Sequence, residues 1–213
     1  MVSEHIRLAE PIGSRLLMER AGLNVSSATI RNELAELEAQ GYIFQPHTSA
    51  GRVPTAKGYE YYITNIIKVK KLTNAEQEQL VYLKKDLFSE ENLKALAKFL
   101  RDAVNETVII AFDKNSYYYT GIANLFSKPE FADQNVLHSI SSIIDHLDEA
   151  LFTYYETIDE KKVLIGAASP FGVATAAIIK PFKTKNQKVV VTVLGPMRMD
   201  YSHVLSIIDY FSN

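Results

Sequence analysis

With 213 residues, 47% of them hydrophobic and 23% charged, the chain has the composition of a folded protein of about one and a half domains. It has no cysteine, which excludes disulfides, thiolate metal sites, iron–sulfur clusters and cysteine nucleophiles. No apolar run approaches the roughly 18 residues of a membrane span and no basic-then-apolar leader opens the sequence, so a cytoplasmic protein is expected, and a net charge of −2 argues at first against a nucleic-acid binder.

In chain order, residues 2–10 predict a short helix that stops before Pro11. A second helix opens at Gly13-Ser14, with Ser14 as N-cap, and closes at Gly22. The polar stretch 24–27 reads as a turn. Residues 27–40 then predict a third helix, ended by Gly41, with Ile30, Leu34 and Leu37 as one apolar stripe. Residues 42–44 predict a short strand and 48–54 a hairpin loop from which Val53 returns. Thr55 is placed to cap a fourth helix, on which Tyr59, Tyr62, Ile63, Ile66 and Ile67 keep helical spacing.

A polar, lysine-rich stretch at 68–74 marks a boundary. Residues 75–104 predict one or two linking helices, with Leu93, Leu96, Ala97 and Leu100 as the buried stripe. Beyond them, 107–112, 117–122, 163–166, 173–179 and 188–194 read as strands. Residues 133–155 and 200–211 read as helices, the first built on Val136, Leu137, Ile140, Ile143, Ile144 and Leu147. Strands interleaved with helices indicate an α/β second domain, the chain as a whole being α+β. The expected division is a first domain over 1–70, linking helices over 71–106 and an α/β domain over 107–213.

Three short helices followed by a hairpin outline a winged helix-turn-helix. Residues 1–70 carry eight basic and seven acidic residues, a charge of +1 against −3 for the remainder. On the helix 27–40 the face opposite Ile30 presents Ala28, Asn32, Ala35 and Ala39, with Thr29 and Arg31 flanking it near the N-terminal end. Small side chains let a helix approach another surface closely. Asn can bind adenine and Arg guanine in bidentate fashion. Ser26 and Ser27 stand at the helix N-terminus, where hydroxyls and free N–H groups suit a phosphate and serve equally as an N-cap. His47, Thr48, Ser49 and Arg52 form a candidate wing, with Arg52 a fixed positive charge at its tip, and Arg15 and Lys57 add two more cations. Glu33, Glu36 and Glu38 read as a solvated flank. Spacing by itself leaves open whether this helix reads DNA or is an ordinary helix of a helical domain.

Elsewhere the chemistry is sparse, and neither an enzyme nor a cofactor is expected. Asp145, Asp148 and Glu149 read as a solvated face rather than an acid–base pair. His138 and His146 lack a third metal ligand. Ser169 to Gly172 reads as a turn rather than a nucleophile elbow, and glycines 166, 172 and 195 make no phosphate-cradling loop. Tyr117 to Tyr119 reads as a buried or edge strand rather than a base-stacking platform.

The string EPIGSRLLMERAGLNVSSATIRNELAELEAQGYIFQPHTSAGRVPTAKGYEYYI, residues 10–63, closely resembles the N-terminal domain of the HrcA family, bacterial heat-inducible transcription repressors. In it, residues 26–33 resemble the family's recognition helix and residues 45–52 its wing. TGIANLFSKPEF (120–131) and LGPMRMDYSHVLSIIDYF (194–211) are similar to the family's later motifs. The resemblance implies a winged-helix domain joined to a GAF-like α/β domain. It implies a homodimer on double-stranded DNA at an inverted-repeat operator, the element called CIRCE, with the GroE chaperonin supporting the active repressor and no membrane partner.

The chain also departs from that family. It is short, lacking the inserted dimerising segment expected before Thr120-Gly121, so a dimer interface within 56–104 is expected instead. Met1 enters where the family's first helix is already under way, which predicts a native start upstream. Residues 165–182 lack the acidic and amide character of the family's corresponding segment. Two other expectations compete with a repressor: a ligand-sensing winged-helix regulator, and a protein-interaction module that docks a chaperone.

Overall fold

The computed structural model describes residues 1–22, 25–84, 89–113, 116–132, 141, 147–183 and 188–212. The chain divides into two units, Met1–Ile67 and Lys68–Asn213.

The first unit runs α1 (Val2–Leu8), α2 (Ser14–Ala21), α3 (Ser27–Ala39), β1 (Ile43–Phe44), β2 (Val53–Pro54) and α4 (Ala56–Asn65). α1 ends two residues short of the predicted limit because Ala9 turns left-handed (φ 58°) and closes it. Ser14 is not a cap, since Gly13 holds that position without a side-chain bond. The physical reason lies just upstream: Ile12 exchanges backbone hydrogen bonds of 2.8 and 2.9 Å with Arg52, which keeps the chain extended until Gly13. Ile12, Leu17, Ile30, Leu34 and Ile43 form the core, flanked by Met1, Leu8, Leu16, Met18 and Tyr42. Leu37, expected in the same stripe, is 37% exposed. It lines an open apolar groove of about 400 Å³ with Tyr42, Tyr61, Tyr62 and Ile66. Thr55 caps α4 as expected, its Oγ1 accepting from the Gly58 N–H at 3.1 Å. Ile66 falls beyond the last turn of α4 and is exposed.

The second unit contains α5 (Asn74–Lys84), α6 (Glu90–Val104), β3 (Thr107–Ala111), β4 (Tyr117–Thr120), α7 (Ile122–Phe126), α8 (Leu147–Thr157), β5 (Lys162–Ile165), β6 (Thr175–Lys183), β7 (Lys188–Pro196) and α9 (Tyr201–Ser212). The two helices expected to link the domains belong to this unit. The strands form one sheet in the order β4-β3-β7-β6-β5, and every neighbouring pair is antiparallel. The second unit thus mixes helices with a multi-stranded sheet, as the interleaving of strands and helices predicts, and its strands run antiparallel. Here β3 pairs directly with β4 and β6 with β7, and helices cover the two faces of an antiparallel sheet.

Alternation along the strands separates the faces. Ile109, Ala111, Ala177, Ile179, Val190 and Leu194 share a core with Leu125, Phe131, Leu147, Leu151, Ile158 and Phe171. Residues of the other parity, Val108, Ile110, Ile178, Val191 and Val193, are buried on the face that α6 and α9 cover. The stripe Leu93, Leu96, Ala97 and Leu100 is fully buried, as its spacing predicts. Pro181 sits inside β6 without breaking the sheet. It pairs with Val190 of β7 but lies past the last pair with β5, Lys162–Ile179, where no ladder hydrogen bond is required of it.

Of the helix predicted over 133–155, Val136, Leu137, His138, Ile140, Ile143, Ile144, Asp145, His146 and the side chain of Asp148 lie outside the described residues, as does Asn24. Among the described residues no helix is long and apolar enough to cross a membrane.

Candidate nucleic-acid interface

Ser26 takes extended backbone (φ −70°, ψ 152°), and its Oγ accepts from the Thr29 N–H at 3.1 Å, so Ser26 is the N-cap of α3. The same Oγ lies 3.0 Å from Thr29 Oγ1. Ser27 is the first helical residue and half-buried, and its carbonyl accepts from Arg31 Nε at 3.3 Å. With Ile30 and Leu34 turned into the core, Ala28, Thr29, Arg31, Asn32 and Ala35 are all exposed. The helix thus presents a shallow face of small residues, with one guanidinium and one carboxamide standing above a capped N-terminus. Glu33 and Glu36 are exposed on the flank, as expected.

The loop between β1 and β2 is ordered from within. The Gln45 side-chain amide donates to the carbonyls of Thr48 and Ala50, both at 2.9 Å. His47, Thr48 and Ser49 are exposed at its turn, with Ser49 Oγ 3.3 Å from His47 Nδ1. Gly51 runs so close to the chain before α2 that a Cβ there would stand 2.4 Å from the Ile12 carbonyl carbon.

Two expected DNA contacts occupy other places. Arg52 is at the base of the loop, not its tip. Its backbone pairs with Ile12, and its Nε donates to Glu38 Oε2 at 2.8 Å in a half-buried ion pair. Lys57 is tied to the opposite end of α3, its Nζ donating to the Gln40 carbonyl at 2.8 Å and standing 4.4 Å from the centre of the Tyr42 ring. Thirteen residues of α-helix span roughly 20 Å, so Lys57 does not converge with Arg31 and Asn32. Arg15 is freely accessible on α2, with an 88% exposed side chain paired to Glu19 at 3.0 Å.

Glu38 is the residue whose role the sequence concealed. Rather than belonging to a solvated flank, its carboxylate accepts from the Gln45 N–H (2.9 Å) and from Arg52, which binds α3 to both arms of the loop. No periodicity links positions fourteen apart; opposite charges at the ends of a helix-turn-hairpin are the only trace of the pair. A partly exposed pair of this kind contributes about 1 kcal/mol. A double-mutant cycle on Glu38→Ala and Arg52→Ala, followed by urea denaturation, is expected to return a coupling energy of that size. A coupling near zero would mean the pair does not hold the loop.

Of the second-unit groups set aside on sequence grounds, Ser169, Tyr117, Tyr119 and Glu149 are described. Ser169 Oγ lies 2.7 Å from Thr175 Oγ1 and accepts from the Phe171 N–H, within a turn. Tyr117 and Tyr119 lie on the edge strand β4 with rings 6.4 Å apart. Glu149 is exposed. No group of three or more potential metal ligands occurs among the described residues.

A family model described as HrcA protein C terminal domain matches residues 58–205. The heat-inducible transcription repressor HrcA of Mycobacteroides abscessus is 40% identical over 113 residues, 53% of this chain and 33% of that protein. The same repressor of Desulforudis audaxviator is 38% identical over 138 residues, 65% of this chain and 36% of that protein. The chain therefore spans about a third of the length of the curated relatives it matches. The crystal structure of a hypothetical protein superposes with a TM-score of 0.74 at 17% identity, covering 100% of this chain and 93% of that one, and shows the same fold.

Proposed function

The chain belongs to the HrcA family, and from that premise we propose that it is a sequence-specific DNA-binding repressor of heat-shock chaperone operons, acting as a dimer on an inverted-repeat, CIRCE-type operator. The family is one of transcription regulators rather than enzymes. The observation that carries the reading is the N-terminal half of α3, where a capped helix end and an exposed small-residue face lift Arg31 and Asn32 clear of the core. In the proposed complex two copies of α3 enter major grooves one helical turn apart, roughly 34–36 Å, or a multiple of it. Asn32, Arg31 and Thr29 read base edges, while Ala28 allows close approach. Ser26, Ser27 and Arg15 meet phosphates, and His47, Thr48 and Ser49 lie against the adjacent backbone or minor groove. Arg52 and Lys57 act at one remove, holding the wing and the far end of α3.

In this proposal residues 1–70 read DNA, and the helices of 71–106 join the strands and helices of 107–213 in one unit, a shortened GAF-like domain through which the GroE chaperonin supports the repressor in the cytoplasm. Gel shifts on an inverted-repeat operator and on scrambled DNA test the central claim. Arg31→Ala and Asn32→Ala are each expected to weaken operator binding by about 1–3 kcal/mol while leaving scrambled DNA nearly unaffected. Wild-type behaviour of both variants on both DNAs would remove the assignment.

A further inference from the structure

Four charged side chains from three stretches of the second unit meet at one end of the sheet. Glu106 follows Asn105, the left-handed cap of α6 (φ 54°), and leads into β3. Its residue surface is 3% exposed. Oε1 accepts from Lys128 Nζ at 3.1 Å, and the same ammonium donates to the Asn105 carbonyl at 2.9 Å. Oε2 is buried with no hydrogen-bond partner among the described residues. Gly195 of β7 leaves room for it, since a Cβ there would stand 2.5 Å from Oε2. Glu130 and Arg198 complete the cluster and bind each other, with Arg198 donating through Nε and, at 3.1 Å, through Nη2. Arg101, the nearby cation of α6, is turned to Asp102 and Thr120.

A buried carboxylate with one oxygen unpaired is costly, and a neutral carboxyl in the same place much less so. We propose that Glu106, seated under Gly195 with Lys128 as its one direct side-chain partner among the described residues, is a one-proton switch whose ionised form loosens the second unit. Burial pushes its carboxyl up to about 7; Lys128 and Arg198 pull the other way, and Glu130 adds to the rise. The direction of the effect follows from proton linkage. In the unfolded chain the group titrates near 4.5, so between that pH and 7 the folded state holds more protons. The stabilisation is complete below 4.5 and is lost as pH rises through 7. For this group alone the folding constant falls about 300-fold across the window.

The test is a set of urea or thermal unfolding curves of the full chain from pH 4.5 to 8.5, wild type beside Glu106→Gln, with a carboxyl-carbon NMR titration of wild-type Glu106. Wild type is expected to lose stability relative to the variant as pH rises, the gap approaching 300-fold, and the carboxyl carbon to titrate near 7. The difference between the two curves cancels whatever other groups contribute to the pH dependence, since wild type and variant share them. Parallel curves, or a titration near 4.5, would overturn the proposal. The NMR titration decides it even where the variant does not fold.

Discussion

Replacing Gly58 by alanine is expected to destabilise the first unit by about 3 kcal/mol, the upper end of what an overpacked methyl group does. A Cβ at this position would stand 2.1 Å from the Tyr42 carbonyl oxygen and 3.2 Å from its carbon. These are backbone atoms, and the carbonyl is held in place, accepting from the Thr55 N–H at 3.0 Å and from Thr55 Oγ1 at 3.1 Å. Thr55 in turn caps α4. Relief therefore requires α4 to lift from β1 or its cap to open. Hydrogen exchange followed residue by residue should show protection lost in α4 and around Ile43 while β3 keeps its own. Unchanged protection at Ile43 would mean the helix does not pack as closely as described.

The second large effect is expected from Leu96→Ala. Leu96 is fully buried at the centre of the α6 stripe. Removing three carbons from a packed site both forfeits transfer free energy and leaves a cavity that the surroundings only partly fill, a loss of about 2–5 kcal/mol. Leu93, Ala97 and Leu100 flank the site on the same helix and limit its collapse. The variant should unfold at markedly lower denaturant concentration, with exchange accelerated in α6 and β3 and the amides of α3 little changed. A midpoint within experimental error of wild type would show that α6 does not cover the sheet as described.

These two sites differ in how far the sequence discloses them. The α6 stripe is legible because burial there follows from spacing alone: four apolar positions on one face of a helix have only one way to leave water. Gly58 is not legible in that way. A glycine early in a helix reads as a weak helix former, and only the approach of Tyr42 from β1 shows that a methyl group has no room.

The sheet shows the same limit in another form. Runs such as Val108 to Ala111 and Val189 to Val191 identify strands buried on both faces, a pattern most familiar from parallel sheets with helical crossovers. Such runs disclose burial on both faces, but they do not disclose strand direction. Direction depends on which strands pair, and β3 with β7 is a pairing across some eighty residues that no local pattern encodes.

At the candidate interface the residues exposed on α3 were readable from helical phase. Ala28, Arg31, Asn32 and Ala35 are where a period of 3.6 residues puts them. The wing was not readable to the same depth. Its cation at 52 belongs to an ion pair with Glu38, and Lys57 belongs to the far end of α3, because both are placed by a hairpin folding back over the helix.

The opening charge of −2 gave no guide to either unit. By itself the sequence determined what local spacing and capping can determine: the helices, their buried faces, the apolar strands and the side chains lifted from α3. Tertiary structure decided what depends on partners distant along the chain: the antiparallel order of the sheet, the groove beside Leu37, the clasp of Glu38 on the wing, and the meeting of Glu106 with Lys128. The physical reason is that periodicity is set by backbone geometry within a few residues, whereas pairing is chosen by the burial and charge of the whole fold.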